Sequence, residues 1–216
     1  MINTPPRTWS RWLKNNLAIL SATGFLSGIH TNMVSVVWQP FALSLGASIP
    51  MLGLLTSLGG MGGIVTSLVQ PVGGWLADRV GRKPFIVWAS VVLIAGYALY
   101  MLAGLIKAWA LLVPGIILSI TAESVAANQR GAGFSVTQMA GVLPGIFVPV
   151  LGGLIADRAT ATAIFPACIA FEALALFLVA RYLRETHTAT SPATWDVLWA
   201  VLKRAVIPST LHLGGD

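Results

Sequence analysis

Charged residues are rare in this chain, yet four of them fall within one short stretch, GGWLADRVGRKP, which runs from Gly73 to Pro84. The four are Asp78, Arg79, Arg82 and Lys83. A carboxylate at such a turn can accept hydrogen bonds from backbone N–H groups at a helix start, and basic side chains suit the depth of lipid headgroups. By residue type alone, the stretch is a basic turn that fixes membrane topology.

One carboxyl group lies in the middle of a long apolar segment. Glu172 is the only acidic residue deep in an unambiguous candidate span. A carboxyl group in such a place is neutral unless it is paired, because burial disfavours the charged form. Glu172 therefore predicts either a proton-coupling site or a neutral side chain that is hydrogen-bonded to an adjacent helix.

The composition places these groups in a membrane protein. The chain has 216 residues, of which 56% are hydrophobic and 9% charged, and its mean hydropathy is +0.81. Soluble domains usually carry about 25% charged residues. The net charge of +6 comes from basic residues grouped at the ends of apolar segments, which indicates anchoring to a lipid bilayer rather than binding to nucleic acid.

The sequence offers no pattern typical of an enzyme. It contains no ATP-binding P-loop, no His-Glu-x-x-His, no Gly-x-Ser-x-Gly and no paired-cysteine motif. The single cysteine, Cys168, cannot form an internal disulfide bond. We therefore expect neither catalysis nor a bound metal or other cofactor.

Six apolar segments are candidates for membrane spans, for which about 20 residues are needed. Continuous apolar runs favour helices over the alternating strands of a membrane barrel, so we predict an all-α membrane protein. The fourth segment is short and has to extend into residues 123–129 to cross. The predicted spans are Leu17 to Trp38, Met51 to Val72, Phe85 to Ile106, Ala108 to Ala122, Phe134 to Ala156, and Ala161 to Leu183.

The basic residues give the predicted orientation. With six crossings and a cytoplasmic N-terminus, only Lys107 and Arg158 of the 13 Lys and Arg residues fall outside, in agreement with the positive-inside rule. We predict a multi-pass protein of the plasma or inner membrane, with a cytoplasmic N-terminus over residues 1–16, a transmembrane domain over 17–183 and a cytoplasmic tail over 184–216. The tail has a helical stripe, which would lie on the membrane surface or against a neighbouring domain. The stripe consists of Trp195, Leu198, Trp199, Leu202 and Val206.

Two loops resemble those of a known family. Residues Gly74 to Lys83 match the signature loop of the major facilitator superfamily, G-x-L-A-D-R-x-G-R-K, at every fixed position. Ala122 to Val125, followed by Arg130 and Gly131, resembles that family's loop between the fourth and fifth helices. The resemblance implies one half of a twelve-helix fold, with six transmembrane helices arranged as two inverted three-helix repeats.

The same resemblance implies a conformational-switch loop on the cytoplasmic side. In it, Asp78, Arg82 and Glu123 would form a charge cluster that holds the outward-facing state closed at its inner end. The residues assigned to this loop are Gly74, Asp78, Arg79, Gly81, Arg82, Lys83, Glu123 and Arg130.

A shorter copy of the signature, GGLIADR, occurs from Gly152 to Arg158. In an inverted repeat the second span corresponds to the fifth, so this copy would be the counterpart of GGWLADR on the opposite membrane face. The fifth span also contains Gly141-x-x-x-Gly145 and then Pro149. We expect the glycines to allow close helix packing and the proline to interrupt the helix. Gly59-x-x-x-Gly63 would be a similar packing face.

The resemblance implies secondary transport of a small solute by alternating access. Since the family's first helix lines the central cavity, the substrate-contact candidates are His30 and Asn32, with Gln39 and Gln138 as weaker ones, although each could instead bond to a neighbouring helix. The family's sixth helix is peripheral, which favours the hydrogen-bonded alternative for Glu172.

The chain supplies one half of such a transporter. We expect it to be a truncated product, a half that pairs with a separately encoded six-helix half, or a homodimer. A non-transporting scaffold or regulatory half-protein is the alternative.

Overall fold

The described part of the protein is built almost entirely of helices. A computed structural model describes residues 7–59, 69, 81–126, 137 and 139–184. Short 3-10 turns occur at Trp109–Leu111, Leu143–Ile146 and Ala161–Ala163. The α-helices are α1 (Arg7–Ser44), α2 (Ile49–Gly59), α3 (Arg82–Ile106), α4 (Leu112–Ala126), α5 (Val148–Arg158) and α6 (Ile164–Tyr182).

Three described helices are long and apolar enough to cross a membrane, namely Asn15–Ser44, Lys83–Ile106 and Ala161–Tyr182. They confirm helices at the first, third and sixth predicted spans, and the third begins with Pro84 in its first turn as expected. The first helix is longer than the predicted Leu17 to Trp38. Its 38 residues would extend about 57 Å, so it must continue beyond a hydrocarbon core of about 30 Å.

Helix α1 passes through Pro40 and ends in a glycine turn. Gly46 has a φ of 88°, a conformation that favours glycine because it has no Cβ. The N–H of Gly46 donates to the carbonyl of Leu43, and the N–H of Ala47 donates to that of Ala42. This pair of bonds is a Schellman motif, and it reverses the chain sharply into α2.

The fifth predicted span is bent, as its prolines suggest. Met139–Ile146 and Val148–Arg158 meet at 48° and form a fourth candidate span if they are counted as one. Pro149 lies in the first turn of α5, where a missing N–H has little effect. Pro144 lies in the 3-10 turn Leu143–Ile146 that ends the first piece. The break at Phe147 therefore falls between a 3-10 turn that contains one proline and a helix that begins with the other.

The fourth predicted span continues past Ala122, as it must to cross a bilayer. A 3-10 turn at Trp109–Leu111 leads into α4, which includes Glu123 and reaches Ala126, the last described residue of this stretch. Together they form 18 successive helical residues, 3 in the turn and 15 in the helix. Their length is about 27 Å at 1.5 Å per residue.

Small residues bring α1 and the fifth span into close contact. Gly24 lies against Thr137, Gly28 against the backbone of Gly141, and Gly145 against the side chain of Asn32. Each step of four residues along α1 is matched by a step of four along the fifth span, so the two run parallel. The predicted packing role of Gly141-x-x-x-Gly145 is confirmed.

The contacts between helices also give their relative directions. His30 and Trp38 of α1 contact Tyr97 and Tyr100 of α3, respectively, so these two helices run parallel. Helix α6 runs the opposite way, because Asn16 near the start of α1 exchanges two hydrogen bonds with the backbone of Arg184 just after α6, with lengths of 3.0 and 3.3 Å.

Helix α4 runs antiparallel to α3, to which it is joined by a short connection. Described helices α3, α4, α5 and α6 thus alternate in direction, as six crossings would require. The six-helix arrangement as two repeats stays a prediction.

Several predicted features lie outside the described residues. They are the second span beyond Gly59, with the Gly59-x-x-x-Gly63 face, most of the signature loop, and the tail from residue 185. The second copy of the signature is described. GGLIADR forms the last two turns of α5, with Gly152 buried against the backbone of Met33 and Asp157 exposed at the helix end.

We expect Gly28→Ala to destabilise the protein. An added Cβ would collide with the carbonyl group of Gly141, and overpacking of this kind costs about 1–3 kcal/mol. Gly53→Ala is the matched control, since nothing lies within 4 Å of a Cβ there. Thermal unfolding of the purified variants in detergent would measure both effects, and equal stability of the two variants would contradict the close contact.

The arrangement also predicts which residues share a membrane face. In a background with Cys168→Ala, single cysteines at Asn15 and Arg184 should react with an impermeant maleimide from one side. Cysteines at Lys107 and Arg158 should react only from the other, and the basic-residue pattern assigns that side to the exterior. Labelling of Asn15→Cys and Arg184→Cys from opposite sides would show that the order of crossings is wrong.

Candidate functional site

Three buried polar side chains from three helices meet in the interior. His30 of α1, Tyr97 of α3 and Glu172 of α6 are 1%, 1% and 3% exposed. His30 Nδ1 lies 2.7 Å from the Tyr97 hydroxyl oxygen, and His30 Nε2 lies 2.9 Å from Glu172 Oε2. The imidazole therefore uses both ring nitrogens and links the outer two groups in one chain of hydrogen bonds.

The proton between His30 and Glu172 can be placed in two ways. If Glu172 is ionised, Nε2–H donates to Oε2. If Glu172 is protonated, its hydroxyl group donates to Nε2 and Nδ1–H donates to the Tyr97 oxygen. All three groups are satisfied in both arrangements, since imidazole and the phenol can each donate or accept. This cluster can therefore hold or release a proton without leaving a buried polar group unpaired.

Aromatic side chains close the interior on one side of this cluster. The Tyr100 ring lies 5.5 Å from that of Phe165 and 5.3 Å from that of Trp38, and the Phe41 ring lies 4.9 Å from that of Phe165. The Tyr100 hydroxyl is hydrogen-bonded to Ser119 at 2.9 Å. These rings fill the space between the polar cluster and the end of the bundle at Lys107.

A cavity of about 350 Å³ lies on the other side of the cluster. Its described lining runs from Asn32 back to Leu20 in α1, from Leu93 back to Ile86 in α3, and from Glu172 forward to Val179 in α6. All three directions lead toward the face where α1 meets Arg184. The His30 cluster is therefore the floor of a cavity on that side of the bundle.

Hydroxyl, amide and ionisable groups are scattered over a mostly apolar cavity wall. They come from α1, α3, α4, the fifth span and α6, among residues that are otherwise apolar. The polar members among the described lining residues are Thr23, Ser27, His30, Thr31, Asn32, Ser90, Glu123, Thr137 and Glu172.

Comparison with known proteins decides the family. The family model described as Major Facilitator Superfamily matches residues 20–209, which is most of the chain. The chain belongs to the major facilitator superfamily. It is thus a multi-pass membrane protein, in agreement with its apolar helices.

A solved structure shares this fold. The crystal structure of the human organic anion transporter MFSD10 (TETRAN) matches with a TM-score of 0.62 and 16% sequence identity. The match covers 86% of this chain and 50% of MFSD10, so the chain spans about half the length of that superfamily member. No curated protein matches the chain.

Two of the four predicted substrate-contact residues line the cavity. His30 is on its floor, and Asn32 lies beside it, with Nδ2 donating to the Gly28 carbonyl at 2.7 Å. Gln39 is exposed farther along α1, between Trp38 and Phe41 of the aromatic layer, and is not among the described lining residues. Gln138 lies outside the described residues. Glu172, the predicted proton-coupling residue, is hydrogen-bonded to His30, and its role in proton coupling stays a prediction.

The structure describes only some residues of the predicted conformational-switch loop. Gly81 has a φ of 103° and precedes α3, which begins at Arg82. Glu123 lines the cavity near the end of α4. Its predicted partner Asp78 lies outside the described residues, as do the signature residues Gly74 and Arg79 and the nearby Arg130. The charge cluster therefore stays a prediction.

The predictions from sequence missed two polar residues in the interior of this protein. Tyr97 completes the His30 cluster, and Ser90 lines the cavity with only 7% of its surface exposed. Both lie in a span that reads as uniformly apolar. A signal was present, since Ser90, Leu93, Tyr97 and Tyr100 recur at helical spacing and share one face of α3.

We expect His30→Ala and Glu172→Ala each to lower the free energy of unfolding by about 3–5 kcal/mol, because each leaves a buried partner without its bond. The double variant should lose little more than either single variant. Tyr97→Phe, which keeps the ring and removes only one hydroxyl, should cost about 1 kcal/mol. Chemical unfolding followed by tryptophan fluorescence would measure the set, and additive losses would contradict a direct His30–Glu172 interaction.

Proposed function

We propose that this chain is the N-terminal six-helix half of a secondary transporter that moves a small solute by alternating access. The observation that carries the proposal is the one-sided cavity, which has the His30 cluster as its floor and a closed aromatic layer behind it. Alternating access requires a site near the middle of the bilayer that is open to one side at a time. The superfamily membership supports the same conclusion.

The depth of the polar cluster supports its place near the midplane. Along α1, His30 is roughly 21 Å from Asn16, and along α6 Glu172 is roughly 18 Å from Arg184, at 1.5 Å per residue. Because Asn16 and Arg184 meet at one face, both estimates place the cluster at a similar depth. Substrates of secondary transporters bind at such a depth.

His30 and Asn32 are the proposed solute contacts, and Glu172 is the proposed proton carrier. A solute that withdrew His30 from Glu172 would change which group holds their shared proton. Solute binding and proton release could then be coupled through one hydrogen bond of 2.9 Å. Gln39 and Gln138 remain candidates for contacts in other conformations.

The signature loop is the proposed latch. Asp78, Arg82 and Glu123 would form ion pairs in the outward-facing state and separate in the inward-facing one, which biases the two states by a few kcal/mol. Glu123 would act in both the latch and the cavity, and its position in the cavity lining close to the end of α4 supports this proposal. The two membrane faces are assigned by the basic residues, with both termini in the cytoplasm of the plasma or inner membrane.

A second six-helix half is the proposed partner. The chain matches half of MFSD10, and the other wall of a central cavity would come from a separate chain or from a second copy of this one. Transport of organic anions is a property of MFSD10 itself, and an identity of 16% carries only the fold to this chain.

Reconstitution tests the transporter directly. The purified chain, alone and with any six-helix protein that co-purifies from its native membrane, is placed in proteoliposomes with an imposed pH gradient. A set of small solutes that raise its thermal unfolding temperature is then assayed for uptake. We expect saturable uptake of at least one solute that is abolished by dissipation of the gradient.

The variants in this assay separate transport from leakage. His30→Asn and Glu172→Gln should reduce gradient-driven uptake at least about tenfold, while Thr56→Ala on the exposed surface of α2 should leave it unchanged. Normal insertion without uptake of any stabilising solute would overturn the proposal and favour a scaffold that keeps the fold without the transport cycle.

A further inference from the structure

Among the described residues, the cavity wall carries more acidic than basic groups. Three ionisable side chains line it, His30, Glu123 and Glu172, and no Lys or Arg is among the lining residues that the structure describes. The His30–Glu172 pair carries a charge of zero or minus one in the arrangements that keep their hydrogen bond. When Glu123 is ionised, the wall is negative in each of these arrangements, and when Glu123 is protonated the wall is neutral or negative. A positive wall would require an imidazolium beside two protonated carboxyl groups.

Glu123 is placed to act on a bound molecule. Its side chain is exposed and lines the cavity near the end of α4. Glu172, in contrast, is 3% exposed and is already bonded to His30. The carboxyl group of Glu123 is therefore the more accessible of the two to a solute.

Ser90 gives an independent indication of a ligand. Its side chain is 7% exposed and lines the cavity, but no hydrogen bond joins its hydroxyl to another described residue. A hydroxyl group at a cavity surface without a protein partner takes its hydrogen bond from water or from a ligand. Ser90 and Glu123 lie on adjacent helices, α3 and α4, so one small molecule could contact both.

We infer that the cavity binds a small alkylammonium cation, with Glu123 as its countercharge and Ser90 as a hydrogen-bonding partner. This inference rests on the proposed function, for which it names the substrate class. A cation of this type, with an apolar surface around its charge, also suits the apolar part of the wall, where Leu93, Val142 and Val179 lie. In the proposed latch, Arg82 and the bound cation would compete for Glu123.

Three molecules of nearly identical shape test the sign of the charge. Choline is cationic, 3,3-dimethylbutan-1-ol replaces its nitrogen by carbon and is neutral, and 3,3-dimethylbutanoate is anionic. Binding of tritiated choline to the full chain in detergent, at fixed pH and ionic strength, is measured with the other two as competitors. We expect choline to bind at least about tenfold more tightly than the alcohol and the anion to compete least.

Variants assign the preference to one carboxylate. Glu123→Gln should bring choline and the alcohol to within about twofold of each other, and Ser90→Ala should weaken both by a similar factor, because both carry the hydroxyl group. Asp157→Asn removes an exposed acid at the far end of α5 and should keep the preference. If the Glu123→Gln variant does not fold, the order in which the wild-type protein binds the three molecules still tests the inference.

The inference is overturned if the alcohol binds as tightly as choline, if the anion binds best, or if Glu123→Gln keeps the preference for choline. This result is separate from the uptake assay. Cation binding without any uptake would reject the transporter and keep the cation site. Uptake only of solutes that are not cations would keep the transporter and reject the cation site.

Discussion

The hydrogen bond between His30 and Glu172 ties the first described helix to the last. Both side chains are almost fully buried, so breaking this bond would leave two polar groups without partners, and this cost favours one register of the two helices. Tyr97 adds α3 to the same register through the other ring nitrogen. The positions of the aromatic layer on one side and of the cavity on the other follow from this three-helix contact.

The contact between α1 and the fifth span is made by the two backbones rather than by polar side chains. There the backbones approach because Gly24, Gly28 and Gly141 have no side chains in the way. In a membrane, where lipid is as apolar as leucine, such close contact is a main source of helix association. One side of α1 thus holds polar partners in place, while another side allows a tight and smooth contact between backbones.

The sequence predicted the apolar helices better than their ends or their partners. The third and sixth spans agree with the structure within three residues or fewer at each end, because long apolar runs ended by Lys83, Lys107 and Arg181 leave little choice. The extension of α1 to Arg7 and Ser44 was missed, since its ends are set by a Schellman turn and by helical propensity rather than by hydrophobicity.

The site was predicted residue by residue but not as a cluster. His30, Asn32 and Glu172 stood out because polar groups are rare in spans. That Glu172 would bond to His30, and not to some nearer group, depends on a contact between residues 142 positions apart, which no local pattern specifies. Tyr97 was overlooked because its ring reads as apolar, and only the fold shows that its hydroxyl faces the imidazole.

The two hydrogen bonds between Asn16 and Arg184 join residues 168 positions apart, and this has a consequence for biosynthesis. When the ribosome has made α1, its partner at that face does not yet exist, and His30 also lacks Glu172. These two contacts can therefore form only after α6 has been inserted, whereas the contacts of α1 with α3 and with the fifth span can form earlier. Until then Glu172's place beside His30 is empty, and the length of that interval is set by the rate of translation.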